Sequence, residues 1–175
     1  ASLLRQESIP VIDVSAHTGF PEMMGGRIKT LHPHIHGGIL GRRGIDEATM
    51  TEAGISPIDL VVVNLYPFEQ TIASPDATRE EAIENIDVGG PAMIRAAAKN
   101  HEAVTIIVDS NEYPAVIAEL RTNNGIPSTT RRRLAIAAFA QTARYDSIIS
   151  DYLLGTHTED NPFPEILGLQ FLKHS

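Results

Sequence analysis

The fold class is indicated by DLVVVNL, the segment from Asp59 to Leu65. A near-continuous run of branched apolar residues is typical of a strand that is covered on both faces of a sheet. A second run of the same kind, AVTIIV, occupies residues 103–108. Because helical patterns alternate with these runs, the sequence predicts an α/β domain with a mainly parallel sheet flanked by helices in three layers.

The predicted helices cover residues 46–53, 79–86, 91–99 (with Pro91 at the first helical position) and 112–121. A longer helix is expected after a cap at Ser128 or Thr129. Its apolar stripe is expected to comprise Leu134, Phe139, Ala143, Ile148 and Ile149. Residues 11–14 are expected to form a short strand, and residues 19–44, rich in glycine, proline and histidine, a long loop.

Length, net charge and cysteine content exclude several classes of protein. A chain of 175 residues suits one domain, and its net charge of -8 argues against a general nucleic-acid or membrane binder. The absence of cysteine excludes disulfides and thiol catalysis, which suits a cytoplasmic protein. The longest apolar run is far below the roughly 20 residues of a membrane span. The first ten residues lack the apolar core of a signal peptide.

Two segments combine cations or polar groups with loop signals. Gly25-Gly26-Arg27-Ile28-Lys29-Thr30 places two cations beside glycines, whose backbone amides can approach an anion closely. The alternative is a solvated turn with surface cations. Asn64 and Tyr66 end the first apolar run, where ligands gather in open α/β sheets. The alternative for Tyr66 is a core tyrosine with a satisfied hydroxyl.

Two further segments flank one helix. Asp87-Val88-Gly89-Gly90-Pro91 enters it, and two glycine amides at a helix start form a positive concavity for an anion. Asp87 can accept a proton there or merely cap the helix. Lys99, at the other end, can belong to a site or simply complement the helix dipole.

Three alternating histidines follow the cationic loop. His32, His34 and His36 would face one way in an extended segment, which invites a metal site. Pro33 and the adjoining glycines favour an irregular loop, and no nearby carboxylate or cysteine completes a site. We therefore expect no metal here.

Taken together, four segments resemble one family, the IMP cyclohydrolase domain of the bifunctional formyltransferase and cyclohydrolase of purine synthesis. They are TGFPEMMGGRIKTLHPHIHGGILGRR (18–43), VVVNLYPFEQT (61–71), ENIDVGGPAMIRAAAKNH (84–101) and FAQTARYDSIISDYL (139–153). They cover nearly the whole chain, in order.

The resemblance implies a fold like that of methylglyoxal synthase and closure of a formamidoimidazole carboxamide ribotide to IMP. It implies catalytic roles for Lys29, Tyr66, Asp87 and Lys99, and substrate binding by Arg27, Thr30, Asn64, Gly89 and Gly90. No cofactor is implied for the cyclohydrolase, and 10-formyltetrahydrofolate would serve only a formyltransferase domain. The expected partner is the ribotide, without nucleic acid or membrane, and the full-length protein is expected to be a homodimer.

The resemblance also divides the chain. Residues 1–154 would be the cyclohydrolase domain, and residues 155–175 a linker toward a formyltransferase domain. The family's chain begins with an earlier strand and phosphate-binding loop, so we expect part of the sheet here to be uncovered. Two alternatives stay open: a methylglyoxal-synthase-like domain that senses a phosphorylated metabolite without catalysis, and an inactive interaction fragment.

One spacing is in tension with a single site. Asp87 and Lys99 are twelve residues apart, or about 18 Å if all of that segment is helical. Both can reach one substrate only if the helix starts late, ends early, or the site crosses a subunit boundary.

Overall fold

The computed structural model describes residues 1–155, in which two short parallel strands carry the fold. Strand β1 (Leu60–Val62) pairs with β2 (Thr105–Ile107), with Leu60 opposite Thr105 and Val62 opposite Ile107. The ladder continues at both ends, because Thr105 N donates to Asp59 O (2.9 Å) and Val63 N to Ile107 O (3.1 Å). Both strands fall where the apolar runs predict them, and their pairing is parallel as predicted.

Helices supply most of the described chain. They are α1 (Ser2–Gln6), α2 (Val14–Thr18), α3 (Pro33–Leu40), α4 (Glu47–Glu52), α5 (Phe68–Ile72), α6 (Arg79–Glu84), α7 (Gly89–Lys99), α8 (Tyr113–Asn123) and α9 (Ser128–Gly155). Four predicted helices are thereby confirmed as α4, α6, α7 and α8. Helix α7 begins two residues earlier than predicted, so Pro91 is its third residue rather than its first.

The core lies where α7 and α9 pack against β2. Ile94 and Ala97 of α7 are buried against Ile106, and Ala135 and Ala138 of α9 join the same cluster. Small side chains at these positions let the two helices approach each other and the sheet closely. The packing fixes α7, whose two ends carry the predicted site residues.

Strand β1 departs from the prediction of a strand covered on both faces. Val61 is buried, but Leu60 and Val62 are 44% and 47% exposed. Successive side chains of a strand point to opposite faces, so within residues 1–155 one face of β1 is covered and the other is open. The three layers stay a prediction, since the described residues form a mostly helical α/β unit with a two-stranded sheet.

Two predictions near the amino terminus are wrong. Residues 11–14 form no strand, and α2 begins at Val14 instead. Residues 19–44 are not one loop, because they contain a 3₁₀ turn (Met24–Gly26) and α3. Pro33 occupies the first turn of α3, where its missing N–H costs nothing, and the His32 ring accepts from His34 N at 3.1 Å. Tertiary burial of Ile35 and Ile39 completes the helix.

The apolar stripe of α9 is also shifted from its prediction. The buried residues are Leu134, Ala135, Ala138, Thr142 and Tyr145. Phe139 is 41% exposed and Ala143 is exposed, so neither belongs to the stripe. The helix includes Ser128 as its first residue and runs to Gly155, and the rest of the predicted linker lies outside the described residues. No helix within residues 1–155 is long and apolar enough to cross a membrane.

Candidate functional site

The amino end of α7 is the structural centre of the candidate site. Asp87 lies one residue before the N-cap Val88, and its Oδ1 accepts a hydrogen bond from Gly90 N at 2.8 Å, so this carboxylate satisfies an amide of the first turn. The capping alternative for Asp87 is therefore confirmed, and it does not exclude a second role, since a carboxylate has further acceptor positions. A helix amino end with free N–H groups and a glycine pair favours negative charge.

The loop of residues 25–30, which carries Arg27 and Lys29, lies against this helix end. A 3₁₀ turn with positive φ at Met24, Gly25 and Gly26 (53°, 63° and 84°) sends the chain toward α7. Thr30 then packs on Gly89 so closely that a Cβ on that glycine would lie 2.5 Å from Thr30 Oγ1. Only glycine at position 89 allows this approach without displacing the threonine.

Both cations of the loop are paired with carboxylates. Arg27 forms an ion pair with Glu84, at the carboxyl end of α6, and Lys29 Nζ lies 3.0 Å from Glu22 Oε2. All four side chains are about half exposed, so solvent screens both pairs and each contributes little to stability. An anionic ligand would compete with Glu22 and Glu84 for the two cations.

Asn64 and Tyr66 line an adjacent hollow of about 250 Å³. Its opposite wall comes from α9, through Gln141, Arg144 and Tyr145. Tyr66 is 56% exposed, so it is not the core tyrosine of the alternative interpretation. Arg144 Nη2 donates to both carboxylate oxygens of Glu69 at 2.8 Å, which places a further cation on the rim.

Tyr145 connects the hollow with the α7 turn. Its hydroxyl donates to Asn85 O (3.0 Å) and accepts from Asp87 N (2.8 Å). Burial raises the pKa of Tyr145 above its ordinary value. The hydrogen bond from Asp87 N lowers this pKa and the negative charge of Asp87 raises it, and the net shift is upward. The hydroxyl therefore stays neutral and can donate and accept at once.

Lys99 does not join the other predicted residues. Helix α7 is continuous from Gly89 to Lys99, so its 11 residues separate the two ends by roughly 15 Å. A late start or an early end of the helix is thereby excluded within one chain. Lys99 instead lines a wide, mostly apolar groove of about 710 Å³ between α3, α7 and α9, which Leu40, Ile136 and Phe139 also line.

The histidines lie on and before α3. His32 and His34 contact edge-to-face, with ring centroids 5.1 Å apart, and His17 lies 6.5 Å from His34. Among residues 1–155, no three His, Asp or Glu side chains are arranged to hold a metal ion.

Several residues that shape the site were missed from the sequence. Glu22 and Glu84 pair with the loop cations, and Tyr145 holds the α7 turn. Asn100, next to Lys99, has a structural role, because its amide donates to Ile39 O (2.7 Å) and Gly41 O (3.1 Å) and fastens the end of α3. A signal existed for Tyr145, since polar residues interrupt the apolar pattern of α9 at 141, 144 and 145.

Fold and site together define a parallel α/β domain with a glycine turn at a helix amino end and cations beside it. Residues 1–92 match the family described as MGS-like domain, and residues 97–175 match the family described as AICARFT/IMPCHase bienzyme. A solved structure titled "Crystal structure of ForH" is 38% identical to this chain, covering 85% of it and 79% of that chain, with a TM-score of 0.71. This chain belongs to the MGS-like domain family and continues into the AICARFT/IMPCHase bienzyme region, as in the IMP cyclohydrolase portion of the bifunctional purine enzyme.

Proposed function

We propose that this protein is an IMP cyclohydrolase, which closes 5-formamidoimidazole-4-carboxamide ribotide to IMP and water. The observation that carries the proposal is the convergence of three separate segments on the amino end of α7. Thr30 abuts Gly89, Asp87 binds Gly90 N, and the Leu65 side chain lies against Gly90. These segments are the ones that resemble the cyclohydrolase family.

The ring closure requires the protein to align the two reacting arms of the ribotide and to stabilise the charge that develops on them. The carboxamide nitrogen attacks the formyl carbon, forming one C–N bond. The two ring-closing nitrogens each give up one proton, and the formyl oxygen leaves with both as water. Because both arms belong to one molecule, holding them in the reactive rotation supplies much of the acceleration. A base at the carboxamide nitrogen and a cation at the formyl oxygen are the remaining requirements.

The residues of the site suit these roles. Asp87 would orient or deprotonate the carboxamide nitrogen through the carboxylate valence that Gly90 N does not use. Lys29 and the Gly89 N–H would stabilise the charge that develops on the formyl oxygen, since Gly90 N already donates to Asp87, and Tyr66 would relay protons. Arg27 would bind the ribotide phosphate, exchanging Glu84 for the ligand, and Asn64 would contact the base. No metal or cofactor is needed for this condensation.

Lys99 enters this proposal through a second subunit. It cannot reach Asp87 of its own chain across the length of α7, and it lines a groove with exposed apolar residues, Ile136 among them. We propose a homodimer in which this groove contacts the partner, so that Lys99 of each chain serves the partner's site. This arrangement retains the catalytic role that the motif implies for Lys99.

Turnover tests the function directly. The purified protein is mixed with the formylated ribotide, and IMP formation is followed by absorbance. Lys29→Ala should reduce turnover by orders of magnitude and keep the wild-type circular dichroism spectrum, whereas Arg121→Ala, at an exposed position of α8, should match the wild type. Wild-type rates in Lys29→Ala would contradict the mechanism, and no IMP from the wild-type protein would contradict the function.

A complementation experiment tests the shared site. Asp87→Asn and Lys99→Ala are each expected to retain only a small residual rate. In a mixed dimer, one site carries both lesions and the other carries neither, so an equimolar mixture should recover about a quarter of wild-type activity. A mixture that stays inactive although subunits exchange would exclude sharing.

A sensor of a phosphorylated metabolite is the second candidate. Two observations favour a sensor: Asp87 is occupied by its hydrogen bond with Gly90 N, and Lys99 lies at the far end of α7. A site that only binds an anion at the amino end of α7 requires neither residue. Tight binding of IMP without turnover of the formylated ribotide would select this function.

A further inference from the structure

The buried hydroxyl of Tyr145 closes the turn that carries Asp87. It donates to Asn85 O (3.0 Å) and accepts from Asp87 N (2.8 Å), and the residue is 8% exposed. The backbone of the turn therefore has two hydrogen bonds to Tyr145, and within the turn Gly90 N donates to Asp87 Oδ1. Together they fix both the backbone and the side chain of Asp87.

The ring of Tyr145 contacts the other polar segment of the site. It packs edge-to-face on Phe68, with centroids 6.3 Å apart and an interplanar angle of 70°. Phe68 is fully buried and begins α5, two residues after Tyr66. One side chain from α9 thus links the Tyr66 segment with the Asp87 turn, two stretches about 20 residues apart in sequence.

We propose that Tyr145 is a positioning residue for the cyclisation, which sets the location of the Asp87 carboxylate relative to Tyr66. The proposal rests on the proposed function and adds a residue to it. Tyr145 itself touches neither the substrate nor the reacting atoms in this role. Its hydroxyl is suited to the task because it donates and accepts at once, which phenylalanine cannot do.

The expected effect follows from the geometry of attack. Misplacement of a reacting group by about 1 Å can reduce a rate roughly 100-fold, whereas binding contacts elsewhere are unaffected. Without the hydroxyl, Asp87 N and Asn85 O lose their partner and the turn can shift. Tyr145→Phe should therefore lower kcat about 10- to 100-fold and change KM by less than about threefold.

The test uses a matched control on the same helix. Tyr152→Phe removes a hydroxyl from a ring that also packs edge-to-face on Phe68, at 5.6 Å and 88°. Within residues 1–155, the two hydrogen bonds to Asn85 O and Asp87 N come from Tyr145 and not from Tyr152. It should keep wild-type kcat. Both variants are measured for kcat, KM and urea unfolding.

A double variant separates positioning from a general loss of stability. If Tyr145 acts through Asp87, then Tyr145→Phe should reduce kcat in the wild-type background and cause no further reduction in Asp87→Asn. Its effect on unfolding should be the same in both backgrounds. An equal rate loss in both backgrounds would overturn the proposal.

The outcomes distinguish a failure of the proposed function from a failure of the positioning role of Tyr145. No IMP formation by the wild-type protein refutes the proposed function and this role with it. An active wild type with unchanged kcat in Tyr145→Phe refutes the positioning role alone. If Tyr145→Phe does not fold, 3-fluorotyrosine at position 145 keeps the volume and both hydrogen bonds while acidifying the phenol. Loss of the phenolic proton removes the hydrogen bond to Asn85 O, so kcat of the fluorotyrosine protein should fall at lower pH than kcat of the wild type. Identical pH profiles would also refute the role.

Discussion

Gly90→Ala tests how tightly the candidate site is packed. Gly90 is the second residue of α7 and is buried. An added Cβ would lie 2.9 Å from Asp87 Cγ and 2.9 Å from Leu65 Cδ2, well inside ordinary contact distance. Asp87 cannot simply turn away, because its Oδ1 accepts the hydrogen bond from Gly90 N. The added methyl group therefore competes with the cap itself.

Opposing effects determine whether Gly90→Ala raises or lowers the free energy of unfolding. Alanine in place of glycine inside a helix is worth about 1 kcal/mol in favour of the variant. Overpacking costs about 1–3 kcal/mol, and loss of an aspartate cap about 1 kcal/mol. The sum predicts a decrease of about 1–3 kcal/mol in the free energy of unfolding. It also predicts a displaced Asp87 and a lower turnover.

Urea unfolding followed by far-ultraviolet circular dichroism measures the difference. With a slope of about 2 kcal/mol per molar urea, the midpoint should fall by about 0.5–1.5 M. Gly125→Ala is the matched control, since nothing lies within 4 Å of an added Cβ and its φ is not positive. That variant should equal or exceed wild-type stability. A Gly90→Ala protein as stable as Gly125→Ala would refute this account of the α7 turn.

Three further predictions concern other contacts. Arg131 donates to His101 O (2.8 Å), Glu102 O (2.6 Å) and Ile126 O. Arg131→Ala should thus lower the free energy of unfolding by about 2–4 kcal/mol in thermal or urea unfolding, and a loss no larger than that of its exposed neighbour in Arg132→Ala would contradict this. The Arg42 side chain, and then its backbone N–H, lower the pKa of Asp46 to about 2. The stability from this pair should be complete above the ordinary aspartate pKa and be lost as pH falls toward 2. Carboxyl NMR titration should show Asp46 titrating higher in Arg42→Gln. The raised pKa of Tyr145 has the opposite sign. Its stabilisation should be complete below the ordinary tyrosine pKa and be lost as pH rises through the folded-state value. Tyr145→Phe should abolish the last-titrating component of the tyrosinate absorbance, and a retained component would assign it elsewhere.

Local patterns predicted much of the secondary structure for a physical reason. The apolar runs at 59–65 and 103–108 contain the two strands, and the Gly-Gly pair at 89–90 marks the start of α7. Such elements follow from side-chain periodicity and from the conformational range of glycine and proline, which are properties of adjacent residues. The residues that approach the amino end of α7 belong to the segments that carry the family resemblance.

The failures have a common cause in contacts between distant residues. Helix α3 formed within a glycine-rich stretch because Ile35 and Ile39 are buried by other elements. The stripe of α9 excludes Phe139 because α7 and β2 contact a neighbouring face of the helix. Neither contact is encoded in the spacing of nearby residues.

The α/β class, the parallel strands and the segments that compose the candidate site could all be predicted from local patterns, because each depends on short-range chemistry. The folded structure established that the predicted helix between Asp87 and Lys99 is unbroken from Gly89 to Lys99, and it placed Thr30 against Gly89. It also brought Tyr145, 58 residues away in sequence, into a hydrogen bond with Asp87. A helix imposes a fixed rise per residue, and burial in a common core determines which distant side chains meet.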